Sequence, residues 1–144
     1  MSTLCIMVLT VVVGDQATKV MLRRFLGSDV FALGPCGSVR VVAGRIWLRR
    51  LAHQCSGLTM WCVWSAAAVA LVMCGALVSP NPLFVALLLG SSFSHAIEIS
   101  LRGSITDYLC LRNGAAFNLA DLTLAAGAIG IMGDLLFFVH QTLS

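Results

Sequence analysis

The sequence predicts an all-α integral membrane protein, with four transmembrane helices and a small β-like extramembrane region after the first. Three observations carry this. The 144 residues are 59% hydrophobic and only 10% charged, at a mean hydropathy of +0.96, a balance too apolar for a soluble domain. Four apolar segments, about residues 4–26, 60–78, 83–101 and 122–142, each reach the roughly 20 residues that cross a bilayer as a helix. Residues 27–59, between the first two, are broken by Gly27, Gly34, Pro35, Gly37 and Gly44 into short runs with strand character. This length leaves room for a single polytopic domain, 1–144.

The first segment begins as a short apolar run of the length found in secretory signals. It lacks a basic flank and a small-residue cleavage pattern, and apolar sequence resumes after Lys19, so one continuous helix is expected. In the region that follows, Val39–Arg40–Val41–Val42 and Arg45–Ile46–Trp47–Leu48–Arg49 read as strands, with the arginines facing water or lipid head groups. Ser79–Pro80–Asn81–Pro82 allows only a tight turn, so helices two and three form an antiparallel hairpin. Residues 102–121 form a shorter loop before helix four. On that helix Ala126, Gly130 and Asp134, with Gly127 and Gly133 nearby, make a small-residue surface for close packing.

Charge narrows the partners. A formal net charge of +3, scattered among apolar segments, does not make a nucleic-acid surface, and membrane lipid is the anionic neighbour. All nine basic residues fall on the side that holds the two loops, which the positive-inside rule assigns to the cytoplasm. The six cysteines form no C-x-x-C pair. Cys5, Cys62 and Cys74 lie in apolar runs, and one pair among Cys36, Cys55 and Cys110 could oxidise in an oxidising compartment.

Ionisable groups in a membrane span are costly and mark sites. Asp15 and Lys19 stand at i and i+4, acid before base, as an interfacial ion pair or as the brace of a polar site. On helix three, Ser91, Ser94, His95 and Glu98 recur at i, i+3, i+4 and i+7, one polar stripe that must face protein or water. Such a stripe glues helices together; alternatively His95 and Glu98, with His53, could ligate a metal. Asp107 follows helix three, and Asp121 opens helix four, where a carboxylate also serves as an N-cap. Asp134 lies 13 residues on, roughly 20 Å along the helix and about 220° round it, so it cannot share their site.

Asp107 and Asp121 are expected at one membrane face, on elements flanking one short loop. If they converge, repulsion and desolvation leave one proton on the pair near neutral pH. One carboxylate then serves as base to a water and its protonated partner polarises a carbonyl, which is peptide hydrolysis without a covalent intermediate. The helix N-terminus beside Asp121 favours Asp121 as the base and Asp107 as the acid.

These residues resemble the lipoprotein signal peptidases, the signal peptidase II family. Asp15–Gln16–Ala17–Thr18–Lys19 is similar to the family's D-Q-x-[ST]-K, Phe117–Asn118–Leu119–Ala120–Asp121 to its F-N-[LV]-A-D, and Gly103–Ser104–Ile105–Thr106–Asp107–Tyr108 to its G-x-V-x-D-F. On helix three, Ser94–His95–Ala96–Ile97–Glu98–Ile99 stands where the family reads G-N-x-x-D-R. The family's N-x-G-A-A-F is absent near His53, while Asn113–Gly114–Ala115–Ala116–Phe117 runs directly into the F-N-L-A-D block.

The resemblance implies an intramembrane aspartic endopeptidase with Asp107 and Asp121 catalytic. Asp15, Lys19, Asn118, His95 and Glu98 would support the site or bind substrate, with no metal and no cofactor. It implies a prolipoprotein substrate bearing a diacylglyceryl cysteine, cut just before that cysteine. It places the protein in the bacterial cytoplasmic membrane with both termini cytoplasmic and the loops outside, against the charge count. Two other readings remain: a paralogue that binds lipidated signal peptides without cutting them, and a small transporter or scaffold using the His95 and Glu98 stripe.

Overall fold

The computed structural model describes residues 2–43, 57–78 and 81–143. Among the described residues there are four α-helices: α1 (Ser2–Phe25), α2 (Gly57–Val78), α3 (Pro82–Arg102) and α4 (Leu119–Leu143). Thr3–Phe25, Pro82–Arg102 and Leu119–Leu143 are long and apolar enough to cross a membrane, while within α2 Trp61–Cys74 is a shorter apolar stretch. Two of these spans, α1 and α4, carry Ile6, Leu9, Val13, Ile129, Met132, Leu136 and Phe137 on exposed faces, as suits helices whose solvent is lipid.

The chain is not wholly helical outside the turns. A four-stranded antiparallel sheet is formed in the order β1 (Phe31–Ala32), β2 (Gly37–Ala43), β3 (Thr106–Leu111) and β4 (Ala116–Phe117). The segment expected as a plain loop, 102–121, therefore supplies half of the sheet. Its run Thr106–Asp107–Tyr108–Leu109–Cys110–Leu111 alternates buried with less buried residues, a period-two pattern. Partners on β2, distant in sequence, complete its ladder: Val39 pairs with Leu109 and Val42 with Asp107, with an irregular register between Val39 and Val42. The strand expected at 45–49 lies outside the described residues.

Helix α3 is the centre of the bundle, packed on α1, α2 and α4. A Cβ on Gly90 would come 2.7 Å from Val11 Cβ, and one on Gly127 would come 2.9 Å from the Phe84 carbonyl oxygen. These glycines let α1 and α4 approach the α3 backbone, the means by which helices associate where lipid removes the hydrophobic drive. Gly130 packs under the Phe84 ring, whereas Gly133 faces open space, so the small-residue surface of α4 is narrower than its spacing suggests. On the other flank Trp61 and Trp64 of α2 meet Phe93 with ring centroids 5.7 and 4.9 Å apart. That pairs the start of α2 with the second half of α3, as an antiparallel hairpin requires.

Helix α3 ends at Gly103, whose φ of 65° and ψ of 10° form a left-handed cap that returns its N–H to the Ile99 carbonyl. The reversal sends the chain straight into β3. Cys5, Cys36, Cys62, Cys74 and Cys110 are free thiols. Cys55 lies outside the described residues.

Candidate active site

The polar stripe of α3 lies between α1 and α4, and its members part in two directions. Ser94 Oγ donates to Asp15 Oδ2 at 2.6 Å and accepts from Gln16 Nε2 at 2.8 Å, both on α1. Ser91 Oγ meets Thr123 Oγ1 of α4 at 2.7 Å. Glu98 turns to α1 and His95 to α4, so the two do not share a ligand position. Among the described residues no cluster of three His, Cys, Asp or Glu side chains could hold a metal ion; His53 lies outside them.

On the α1 side, Lys19 Nζ sits 2.7 Å from Asp15 Oδ2 and 2.7 Å from Glu98 Oε2, all three side chains fully buried. The Lys19–Glu98 contact is ionic, without hydrogen-bond alignment. Arg23 Nη2 reaches both Glu98 Oε1 and Thr106 Oγ1. Asp15 and Lys19 are therefore a fully buried pair, half of a charge-balanced quartet with Glu98 and the partly buried Arg23. Burial of charge is tolerable only with such pairing. Arg23 escaped the sequence reading, which counted it only among the basic residues on the side of the loops. The signal was present: residues 15, 19 and 23 recur every four positions on one helix face.

The start of α4 is where the elements converge. The first N–H groups of a helix have no partner within it. Here the N–H of Leu119 donates to the Tyr108 hydroxyl at 2.8 Å and that of Ala120 to Asp15 Oδ1 at 3.0 Å. The N–H of Asp121 donates to Asn118 Oδ1 at 2.9 Å, while Asp121 Oδ2 accepts from the Asn118 N–H at 3.0 Å. Asn118 is thus the cap and Asp121 its reciprocal partner three residues on, a capping box. The sequence reading, which gave the cap to Asp121 and began the helix at 122, is corrected by one turn. Tyr108 also went unrecognised as a site residue; burial pushes its hydroxyl pKa up to about 12, so it stays a neutral cap.

Asn118 is buried, and its side chain does more than cap. Its Nδ2 donates to Asp107 Oδ1 at 2.8 Å, so one amide touches both aspartates. Asp107 stands on β3 on the side opposite Thr106 and Tyr108, which point inward. Burial raises its pKa, the Asn118 hydrogen bond lowers it, and the Asp121 charge raises it again, with a net rise. The imidazole of His95 completes the cluster, with Nε2 3.3 Å from Asn118 Oδ1 and 3.4 Å from Asp121 Oδ1. Asp134 is remote along α4, in its last three turns.

A cavity of about 630 Å³ is lined by Arg40, Val42 and Ala43 of β2, Asp107 and Cys110 of β3, and Gly114 and Ala116. Asp107 is the member of the pair that lines it. A carboxyl whose pKa is raised, a second carboxylate capped by backbone, and an adjoining cavity large enough for a peptide can perform general acid–base hydrolysis of an amide.

The sequence and the fold are similar to those of known proteins. A family model described as Signal peptidase (SPase) II matches residues 7–137. A lipoprotein signal peptidase of Methylobacterium radiotolerans is 31% identical over 142 residues, covering 89% of this chain and 81% of that protein. A bacterial membrane enzyme solved by the in meso method at 1.9 Å resolution superposes with a TM-score of 0.73 at 20% identity, over 94% of each chain. Another, solved at 2.3 Å, gives 0.74 at 19% identity, over 94% of this chain and 88% of that one.

Proposed function

This chain belongs to the signal peptidase II family, and from that premise we propose that it is an aspartic endopeptidase whose catalytic pair is Asp107 and Asp121. The substrate is a prolipoprotein carrying a diacylglyceryl group on the cysteine after its signal peptide, and cleavage falls just before that cysteine. The observation that carries the reading is the Asn118 side chain, bonded to Asp107 by Nδ2 and to the backbone of Asp121 by Oδ1.

In this mechanism Asp121 is the base and Asp107 the acid. Asp121 takes a proton from water as the water oxygen attacks the scissile carbonyl carbon, and the Asp107 proton goes to the carbonyl oxygen. The tetrahedral diol then collapses: the C–N bond breaks, Asp121 returns its proton to the leaving nitrogen, and Asp107 recovers its own. The products are a signal peptide ending in a carboxyl group and a lipidated cysteine with a free amine. The raised pKa of Asp107 supports its role as the proton donor.

On this reading the protein lies in the cytoplasmic membrane of a bacterium, with α2 as a fourth crossing beside the three long spans and the sheet on the extracytoplasmic face. Signal helix and acyl chains then stay in lipid while the polar mature chain leaves on the sheet side. The basic residues on that face are fewer than a count implies, because Lys19 and Arg23 are committed to buried ion pairs with Asp15 and Glu98.

The deciding experiment is cleavage of a diacylglyceryl-modified prolipoprotein by the purified protein in detergent, beside Asp107→Asn and Asp121→Asn. Product from the parent and from neither variant is expected. A folded parent that binds substrate and yields no product overturns the peptidase and leaves a signal-peptide-binding protein.

A further inference from the structure

His95 is the one member of the polar stripe that approaches a carboxylate of the proposed pair. Its Nε2 has two near neighbours, Asn118 Oδ1 at 3.3 Å and Asp121 Oδ1 at 3.4 Å. The identity of the first atom is fixed by its other bonds. The amide of Asn118 must present nitrogen to the Asp107 carboxyl and oxygen to the Asp121 N–H, so it cannot be turned round to offer His95 a donor. Both neighbours of Nε2 are therefore acceptors, and Nε2 must carry the hydrogen.

Nε2 bonds Asn118 Oδ1, and its contact with Asp121 matters because of which oxygen it approaches. Asp121 Oδ2 already accepts the Asn118 N–H, which leaves Oδ1 as the oxygen able to take a proton from water. Of the charged groups around the imidazole, Asp121 comes from α4 and Asp107 lies across Asn118 on β3. The buried charges of α1 and α3 are paired among themselves, Asp15 with Lys19, and Glu98 with Lys19 and Arg23, while Arg24 and Arg102 are exposed at the helix ends. His95 is 16% exposed and Asp121 33%, so the contact is partly shielded from water.

Resting on the peptidase reading above, we propose that His95 is a positioning residue: its Nε2–H holds Asp121 Oδ1 and Asn118 Oδ1 together. It thereby sets the orientation of the base and keeps the Asn118 amide aimed at Asp107. It neither touches substrate nor enters the proton transfers.

The test pairs kinetics with a spectrum. Glutamine places its amide nitrogen near the position of imidazole Nε2, whereas leucine fills the space and donates nothing. His95→Leu is expected to lower kcat roughly 10- to 100-fold, the loss typical of one hydrogen bond to a charged group, with KM within about 2-fold. His95→Gln is expected to restore most of the loss. Nitrogen-15 NMR of histidine-labelled parent, with the His95 signal assigned by its disappearance in His95→Gln, should show a proton on Nε2. The signal should shift in Asp121→Asn. An imidazole protonated on Nδ1 alone, a signal indifferent to Asp121→Asn, or an unchanged kcat in His95→Leu overturns the proposal. Should the parent itself yield no product, the peptidase reading fails, and the spectrum alone still decides whether His95 donates to Asp121.

Discussion

Asn118 Nδ2 donates to Asp107 Oδ1 at 2.8 Å, joining the residue that caps α4 to a carboxyl on β3. One side chain thereby ties the start of a membrane helix to an extramembrane sheet. The two functions can be separated. Asn118→Ser keeps an oxygen for the cap and removes the amide that reaches Asp107. Its melting temperature in detergent should stay close to the parent's, while kcat falls by about 100-fold, the usual order for a lost donor at a reacting centre. Asn118→Ala should show the same kinetic loss and, in addition, about 1 kcal/mol of destabilisation from the missing cap. Full activity in Asn118→Ser would remove the amide from the mechanism.

Asp107 ties stability to pH. Its pKa in the folded protein is raised, first by burial and then by Asp121, against the Asn118 hydrogen bond. The unfolded chain therefore releases this proton first as pH rises. The stability that Asp107 contributes is complete below the unfolded value and is lost as pH rises through the folded one. Asp107→Asn, which cannot ionise, should therefore gain melting temperature over the parent at neutral pH and lose that gain in acid. The same protonation predicts that parent activity falls as pH rises through the folded value. A gain in melting temperature that does not change with pH would contradict this assignment.

Tyr108 is the only tyrosine in the chain, so a phenolate absorbance titration reads it alone. Burial should hold its midpoint near 12, against the ordinary 10.0, until the protein unfolds. Tyr108→Phe removes the acceptor for the Leu119 N–H and should cost about 1 kcal/mol in reversible unfolding. A midpoint near 10 in folded protein would show that the hydroxyl is not buried at the cap.

The quartet of Asp15, Lys19, Glu98 and Arg23 makes a prediction about coupling. Glu98→Leu leaves two cations, Lys19 and Arg23, with Asp15 as the one remaining acid of the quartet and should destabilise by about 3–5 kcal/mol. Lys19→Met alone should be similarly costly. The double variant should cost less than the sum of the two, because it removes the pair together. Additive losses would mean that Lys19 and Glu98 do not interact.

Much of this architecture is written in local sequence. Apolar runs longer than a bilayer is thick must be helices, since no other single segment satisfies its own backbone in lipid. The period of four in Asp15, Lys19 and Arg23, and the i, i+3, i+4, i+7 stripe of α3, put polar groups on common faces, because helical geometry alone relates such positions. Asp107 and Asp121 were legible as a pair for a similar reason: short connections keep both at one end of the bundle.

Relations between distant elements were not legible. That 106–111 is a strand depends on a ladder with 37–43, some seventy residues away. That α4 begins at Leu119 depends on acceptors from Tyr108 and Asp15 as well as Asn118. The stripe of α3 offered no way to know that Glu98 turns to one neighbour and His95 to the other. Sequence by itself determined which groups lie on a common face or at a common end, because that follows from the repeat of a helix and the length of a loop. Tertiary structure decided which of them meet, because a hydrogen bond or ion pair between elements depends on how closely their backbones pack, and here that rests on Gly90 and Gly127.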